Sequence, residues 1–161
     1  MSMEVQISSS EVIARFKNLP DKLNQKLTTT IYSLTEKLRT HIVRDKLMGQ
    51  VLKRQTGRLG QSIQTEVTQT ANSTTGLVYS AGDVKYAAIH EYGGIIPAHV
   101  IEVKNGKALA FMMGGKMAFY KKVNHPATVM PERSFMRSAL ADMSDEITEA
   151  ITAAVGEVAS E

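Results

Sequence analysis

From Pro20 to about Met48 the chain carries a continuous apolar stripe. Leu23, Leu27, Ile31, Leu34, Leu38 and Ile42 follow one another at steps of four, four, three, four and four. Residues three or four apart share a helix face, so the six line one side of a single helix, opposite Lys22, Lys26, Lys37 and Arg44. At 1.5 Å per residue such a helix is about 43 Å long. A rod of that length lies across a sheet or reaches beyond its own domain to a neighbour. Pro20 suits its first turn, where a missing N–H costs nothing, and Gly49 is the expected stop. Upstream, residues 11–16 predict a separate short helix capped by Ser9 or Ser10 and interrupted at Asn18-Leu19-Pro20. Val5 and Ile7 predict a short strand or an extended arm.

The middle of the chain reads differently. Ser62-Ile63-Gln64-Thr65-Glu66-Val67-Thr68 alternates with period two, placing Ile63 and Val67 on one face. Residues 71–76 supply turn chemistry, and Leu77-Val78-Tyr79-Ser80 reads as the returning strand of a hairpin. Tyr86 to Tyr92 is compact enough for a short helix stopped by Gly93-Gly94. Asn105-Gly106, between Val100-Ile101-Glu102-Val103 and Ala108-Leu109-Ala110-Phe111, is the strongest hairpin signal. Met112-Met113-Gly114-Gly115-Lys116 is a further turn, leading to Met117 through Val123. A last helix begins near Pro131 or Glu132 and carries Phe135, Met136, Leu140, Met143, Ile147, Ile151, Ala154 and Val158 at helical spacing.

These elements predict an α+β fold, with an antiparallel sheet of about four to five strands packed against the long helix and the C-terminal helix. The 161 residues, 43% hydrophobic, suffice for a single domain spanning 1–161 with a real core, with flexible segments expected at 49–60 and 104–123. No apolar run approaches the roughly 20 residues needed to cross a bilayer. The N-terminus lacks the basic leader and apolar stretch of a signal peptide. The expectation is a soluble chain.

Sites for chemistry are hard to find. There is no cysteine, which excludes disulfides, thiolate catalysis and cysteine metal ligands. His41, His90, His99 and His125 form no metal-binding spacing, and adjacent His90 and Glu91 point apart on a helix. No serine sits in a nucleophile elbow, and the glycine pairs lack the phosphate-loop pattern. The carboxylates Asp142, Asp145, Glu146 and Glu149 read as a solvated helix face. The sequence therefore predicts no enzyme and no cofactor.

Charge is more informative. Net charge is +3, but residues 1–56 carry +5, residues 57–131 carry +3 and residues 132–161 carry −5. A dipolar chain of this kind suits head-to-tail or ring association, although ordinary solvation of each helix explains the same pattern. Lys46, Lys53, Arg54 and Arg58 form one basic cluster, and Lys116, Lys121 and Lys122 form another beside Phe119 and Tyr120. Both could make nonspecific, salt-dependent contact with DNA phosphates. Met112, Met113 and Met117 either form an adaptable contact surface or fill the core.

Three stretches, in order, carry a resemblance. They are Thr56-Gly57-Arg58-Leu59-Gly60-Gln61-Ser62-Ile63, then Tyr86-Ala87-Ala88-Ile89-His90-Glu91-Tyr92-Gly93, then Pro131-Glu132-Arg133-Ser134-Phe135-Met136-Arg137-Ser138-Ala139-Leu140. Together they resemble the tail-completion or head–tail connector family of long-tailed phages and prophages, also called minor tail or neck proteins, over roughly residues 10 to 155. Ser134 departs from the proline often seen in that segment. The resemblance implies a noncatalytic virion assembly protein, made in the host cytoplasm and found in the virion. It implies a homo-oligomer, often a ring, that meets connector, neck or tail-tube proteins. Arg58, Tyr86, Glu91, Tyr92, Gly93, Arg133, Phe135 and Arg137 become candidates for fold-organising or interface roles. Arg133 and Arg137, at i,i+4 spacing, would share a helix face. A tail terminator or tube-associated protein is the nearest alternative, and a small basic nucleic-acid-associated protein is the alternative from another class.

Overall fold

The computed structural model describes residues 10–52, 56–70, 73–82, 84, 86–104 and 106–160, with side chains from residue 19 onward. The expected strand near Val5, the Ser9 or Ser10 cap and the basic residues Lys53 and Arg54 lie outside the described residues. The fold is mixed helix and strand, with a long N-terminal helix and a C-terminal helix. It divides into two compact units: a helical unit, Met1–Val84 with Phe135–Glu161, and a ribbon unit, Lys85–Ser134.

In the helical unit, α1 runs unbroken over Ser10–His41. The predicted break at Asn18-Leu19-Pro20 does not occur. Proline removes one backbone donor and usually kinks a helix interior; here Pro20 is exposed and the helix passes through it. Beyond His41 the chain tightens into a π-helical segment, Ile42–Gln50, which loses helical angles at Met48 and Gly49. The expected stop at Gly49 is therefore correct. Ile42, the last residue of the apolar stripe, is among the largest fully buried side chains, with Ile63 and Phe135.

After α2 (Arg58–Ser62), β1 (Ile63–Gln69) and β2 (Thr74–Ser80) form the predicted antiparallel hairpin, with Ile63 opposite Ser80 and Val67 opposite Gly76. Its inner face packs on α1. At Gly76 the strand comes so close to Thr35 and Ile31 that a Cβ would collide with them. Glu36 accepts from the Thr65 hydroxyl, and Arg39 Nε donates to the Ile63 carbonyl at 3.0 Å.

The last helix is two: α4 (Met136–Asp142) and α5 (Ser144–Ser160), separated at Met143. Phe135, Ala139, Met143, Ala154 and Val158 are buried, whereas Leu140 is exposed, because the inward face of α4 passes through Ala139. α5 packs antiparallel to α1, since Lys26 pairs with Glu157 and Lys37 with Glu146. Each pair of partners is eleven positions apart, three turns, so the helices are in register. The basic N-terminal half and acidic C-terminal stretch thus spend part of their attraction on each other inside the chain.

The ribbon unit holds α3 (Tyr86–Tyr92), where predicted, and six short strands: β3 (Gly94–Ile96), β4 (His99–Glu102), β5 (Leu109–Met113), β6 (Lys116–Tyr120), β7 (Lys122–His125) and β8 (Thr128–Met130). They pair as nested antiparallel couples, β3 with β8, β4 with β7 and β5 with β6. The expected sheet of four to five strands is replaced by two-stranded ladders throughout. Successive couples extend one ribbon lengthwise instead of adding strands sideways. Between the first two couples the register is conserved, but Pro97 and Pro126 remove the N–H groups that would join them.

The turn prediction also needs correction. β4 and β5, either side of Asn105-Gly106, do not pair. The tight turn is at Gly114-Gly115, with positive φ of 57° and 81°, the requirement at both central residues of a type I′ turn. Asn-Gly was a sound local signal without a matching strand pair.

Candidate assembly interface

The second and third signature stretches meet. Glu91, 3% exposed, accepts the Ser134 hydroxyl at 2.9 Å, and the Arg133 backbone N–H donates to the His90 carbonyl at 2.8 Å. Ser134, where the family pattern often has proline, thus has a task of its own: it satisfies a buried carboxylate that would be costly unpaired. Gly93, at φ 69°, lies against the Glu132 backbone. The first stretch sits in the helical unit, where Ser62 and Ile63 are buried and the Ser62 hydroxyl reaches the Leu59 carbonyl and Ser80.

Among the candidate residues, Glu91 and Phe135 are buried, and Arg58, Tyr86, Tyr92, Arg133 and Arg137 are exposed. Arg133 lies in the nonhelical stretch before α4, so it and Arg137 are not a helical i,i+4 pair. The signatures therefore mark where the chain is pinned, more than where it would touch a partner.

A contact surface lies along the ribbon. Among the described residues of this unit, only Ala87 is a buried apolar residue, while eleven large hydrophobic side chains are exposed. Ile95 and Val129, directly opposite one another, are 70% and 74% exposed. On the distal couple, Ala110 faces Phe119 and Met112 faces Met117, so the four share one ribbon face with no charge on it. Met112 is 64% and Phe119 67% exposed. The other face holds half-buried Leu109, Phe111 and Ala118, with Phe111 stacked on Tyr120 at 5.7 Å. A lone two-stranded ribbon is marginally stable in water, and one with a bare apolar face is an interaction surface by composition. Of the two readings of Met112, Met113 and Met117, contact surface fits and core filling does not.

A polar cluster invisible in the sequence pins α4 to the end of α1. His41 Nδ1 lies 2.6 Å from Asp45 and Nε2 3.0 Å from Asp142, and the buried Lys46 ammonium reaches the same Asp142 oxygen at 2.6 Å. With a carboxylate at each ring nitrogen, His41 is an imidazolium donating twice. Its hydrogen bonds to Asp142 and then Asp45 raise its pKa above the ordinary imidazole value. Lys46, then His41, hold the Asp142 carboxyl below its usual range. His90 goes the other way: burial first, then the Arg133 charge, lowers its pKa. Its buried Nδ1 has no hydrogen-bond partner among the described residues, and Tyr86 packs edge-on to the ring at 6.0 Å.

The signs fix a pH prediction. The raised His41 contributes stability that is full below about pH 6.5 and is lost as pH climbs through its folded value. The lowered Asp142 contributes stability present above about pH 4 and lost as pH falls through its folded value. The helical unit should therefore be firmest between these limits and soften above neutrality. The neutral His90 instead makes the ribbon unit less stable as pH falls below about 6.5. Hydrogen exchange from pH 5 to 8 should show opposite trends in the two units, and His41→Gln should flatten the helical one. Parallel trends would refute the assignment.

Among the described residues no group of three or more His, Asp or Glu is arranged to hold a metal ion, and no helix is long and apolar enough to cross a membrane. No family model, curated protein or solved structure matches this chain.

Proposed function

We propose that this protein is a noncatalytic component of phage virion assembly that joins head to tail, or completes the tail, by associating with copies of itself and with connector, neck or tail-tube proteins. The observation that carries the reading is the ribbon unit, which exposes apolar side chains along its length while burying almost none. Such a surface is suited to another protein and supplies nothing for bond-making chemistry. The ordered trio of signature stretches agrees with this role and narrows it to the neck region of a long-tailed particle.

Deleting the gene from the phage or prophage that encodes it should leave filled heads and tails of normal length unjoined in electron micrographs, with joining restored in trans. Intact virions in its absence would overturn the role. Tails of irregular length would move the assignment to the tail terminator, whose task is to stop polymerisation. The basic residues Lys116, Lys121 and Lys122 beside Phe119 keep the nucleic-acid reading as the rival from another class. Tight, salt-sensitive binding of duplex DNA by the isolated protein would favour that rival.

A further inference from the structure

The ribbon is one of two bare apolar sheet faces in this chain. The other is the outer side of the β1–β2 hairpin, where Gln64 pairs with Tyr79 and Glu66 with Leu77. Strand alternation turns Ile63, Thr65 and Val67 inward toward α1 and leaves Gln64, Glu66, Leu77 and Tyr79 outward and exposed. A half-buried hairpin ordinarily presents polar residues on that side, so Leu77 and Tyr79 break the rule their own strands otherwise obey. We infer that the uncharged distal ribbon face of one molecule, Ala110, Met112, Met117 and Phe119, docks on the Leu77–Tyr79 face of a second copy of the same chain. This rests on the assembly reading above and specifies which surfaces meet.

Charge selects the occupant. The ribbon unit carries seven Lys/Arg and three Asp/Glu, net +4, leaving −1 on the helical unit. Ribbon against ribbon would bring two +4 bodies together with Lys116, Lys121 and Lys122 crowded at the contact. Ribbon against hairpin brings those lysines toward Glu66 and an overall acidic unit, which also favours encounter. Two sheet faces can pack with interdigitating side chains, and methionine adapts to the surface it meets. Because the two surfaces differ, the contact is head-to-tail and repeats until a ring closes.

Two double variants of the full chain test this. Met117→Glu/Phe119→Glu spoils the ribbon face, and Leu77→Glu/Tyr79→Glu spoils the hairpin face. By light scattering, the wild type should have at least twice the monomer mass and each variant alone the monomer mass, with helical circular dichroism unchanged. Mixed together, the two variants retain one good ribbon and one good hairpin face, so they should form a dimer containing one of each. The absence of cysteine permits a second measurement that does not depend on tolerance of glutamate. Phe119→Cys mixed with Leu77→Cys should cross-link under mild oxidation, and neither should cross-link with itself. A monomeric wild type, a variant that keeps the wild-type mass, or a Phe119→Cys homodimer overturns the docking. The head–tail joining test is read in particles, not in the purified chain, so it stands or falls separately.

Discussion

Replacing Phe135 with alanine should destabilise the helical unit by about 3–5 kcal/mol, the usual range for emptying a buried phenylalanine site. Phe135 is 0% exposed and opens the run of Ala139 and Met143 that forms the buried side of α4. The loss combines the transfer energy of the ring with the cavity it leaves. Total stabilities are about 5–15 kcal/mol, so the variant would sit near the edge of folding. Urea unfolding followed by helical circular dichroism would read the change as a lower midpoint at similar slope. Phe135→Leu keeps most of the volume and should cost less than about 1.5 kcal/mol. If alanine and leucine behave alike, Phe135 is not the packing anchor its burial indicates.

Gly93→Ala is the second large effect, and its cause is conformational. A Cβ at φ 69° would lie 2.9 Å from the Glu132 backbone nitrogen and 3.0 Å from the Met130 carbonyl oxygen. Left-handed angles cost a non-glycine residue about 1–2 kcal/mol, and overpacking adds about 1–3 kcal/mol where neighbours cannot yield. Both neighbours are main chain. The strain falls where α3 hands over to β3, so the β3–β8 couple and the Glu91–Ser134 bond should loosen first. Amide exchange should quicken across Gly94–Ile96 and Thr128–Met130 while α1 and α5 keep their protection. Unchanged exchange there would mean the strand has room to move aside.

Periodicity made part of this structure legible. The six-residue stripe predicted α1, and the alternation around Ile63 and Val67 predicted both the β1–β2 hairpin and its inner face. What periodicity reports is which side of an element is greasy, not what covers it. The pairing of β4 with β7 across nineteen intervening residues, and of Glu91 with Ser134 across forty-two, depends on where the chain goes next. Local signals misled for the same reason: Asn105-Gly106 favours a tight turn but is flanked by strands with other partners. Pro20 was read as a break because its own cost was weighed without the continuity of the turns around it. The His41, Lys46 and Asp142 cluster spans about a hundred residues and left no trace in spacing. Leu77-Val78-Tyr79 did carry a signal, three apolar residues in a row where a one-sided hairpin needs only alternate ones.

Pro97 and Pro126 stand on opposite strands of the ribbon, each facing an alanine across the gap in register. Whichever way a proline nitrogen points, either the ladder or its outer margin loses a donor there. Strands with unbroken margins can recruit further strands without limit, as fibrils do. This one is interrupted between its first two couples, while its apolar side chains project from the flat of the ribbon. Growth by zipping margin to margin is thereby discouraged, and a closed particle becomes the favoured outcome over a filament.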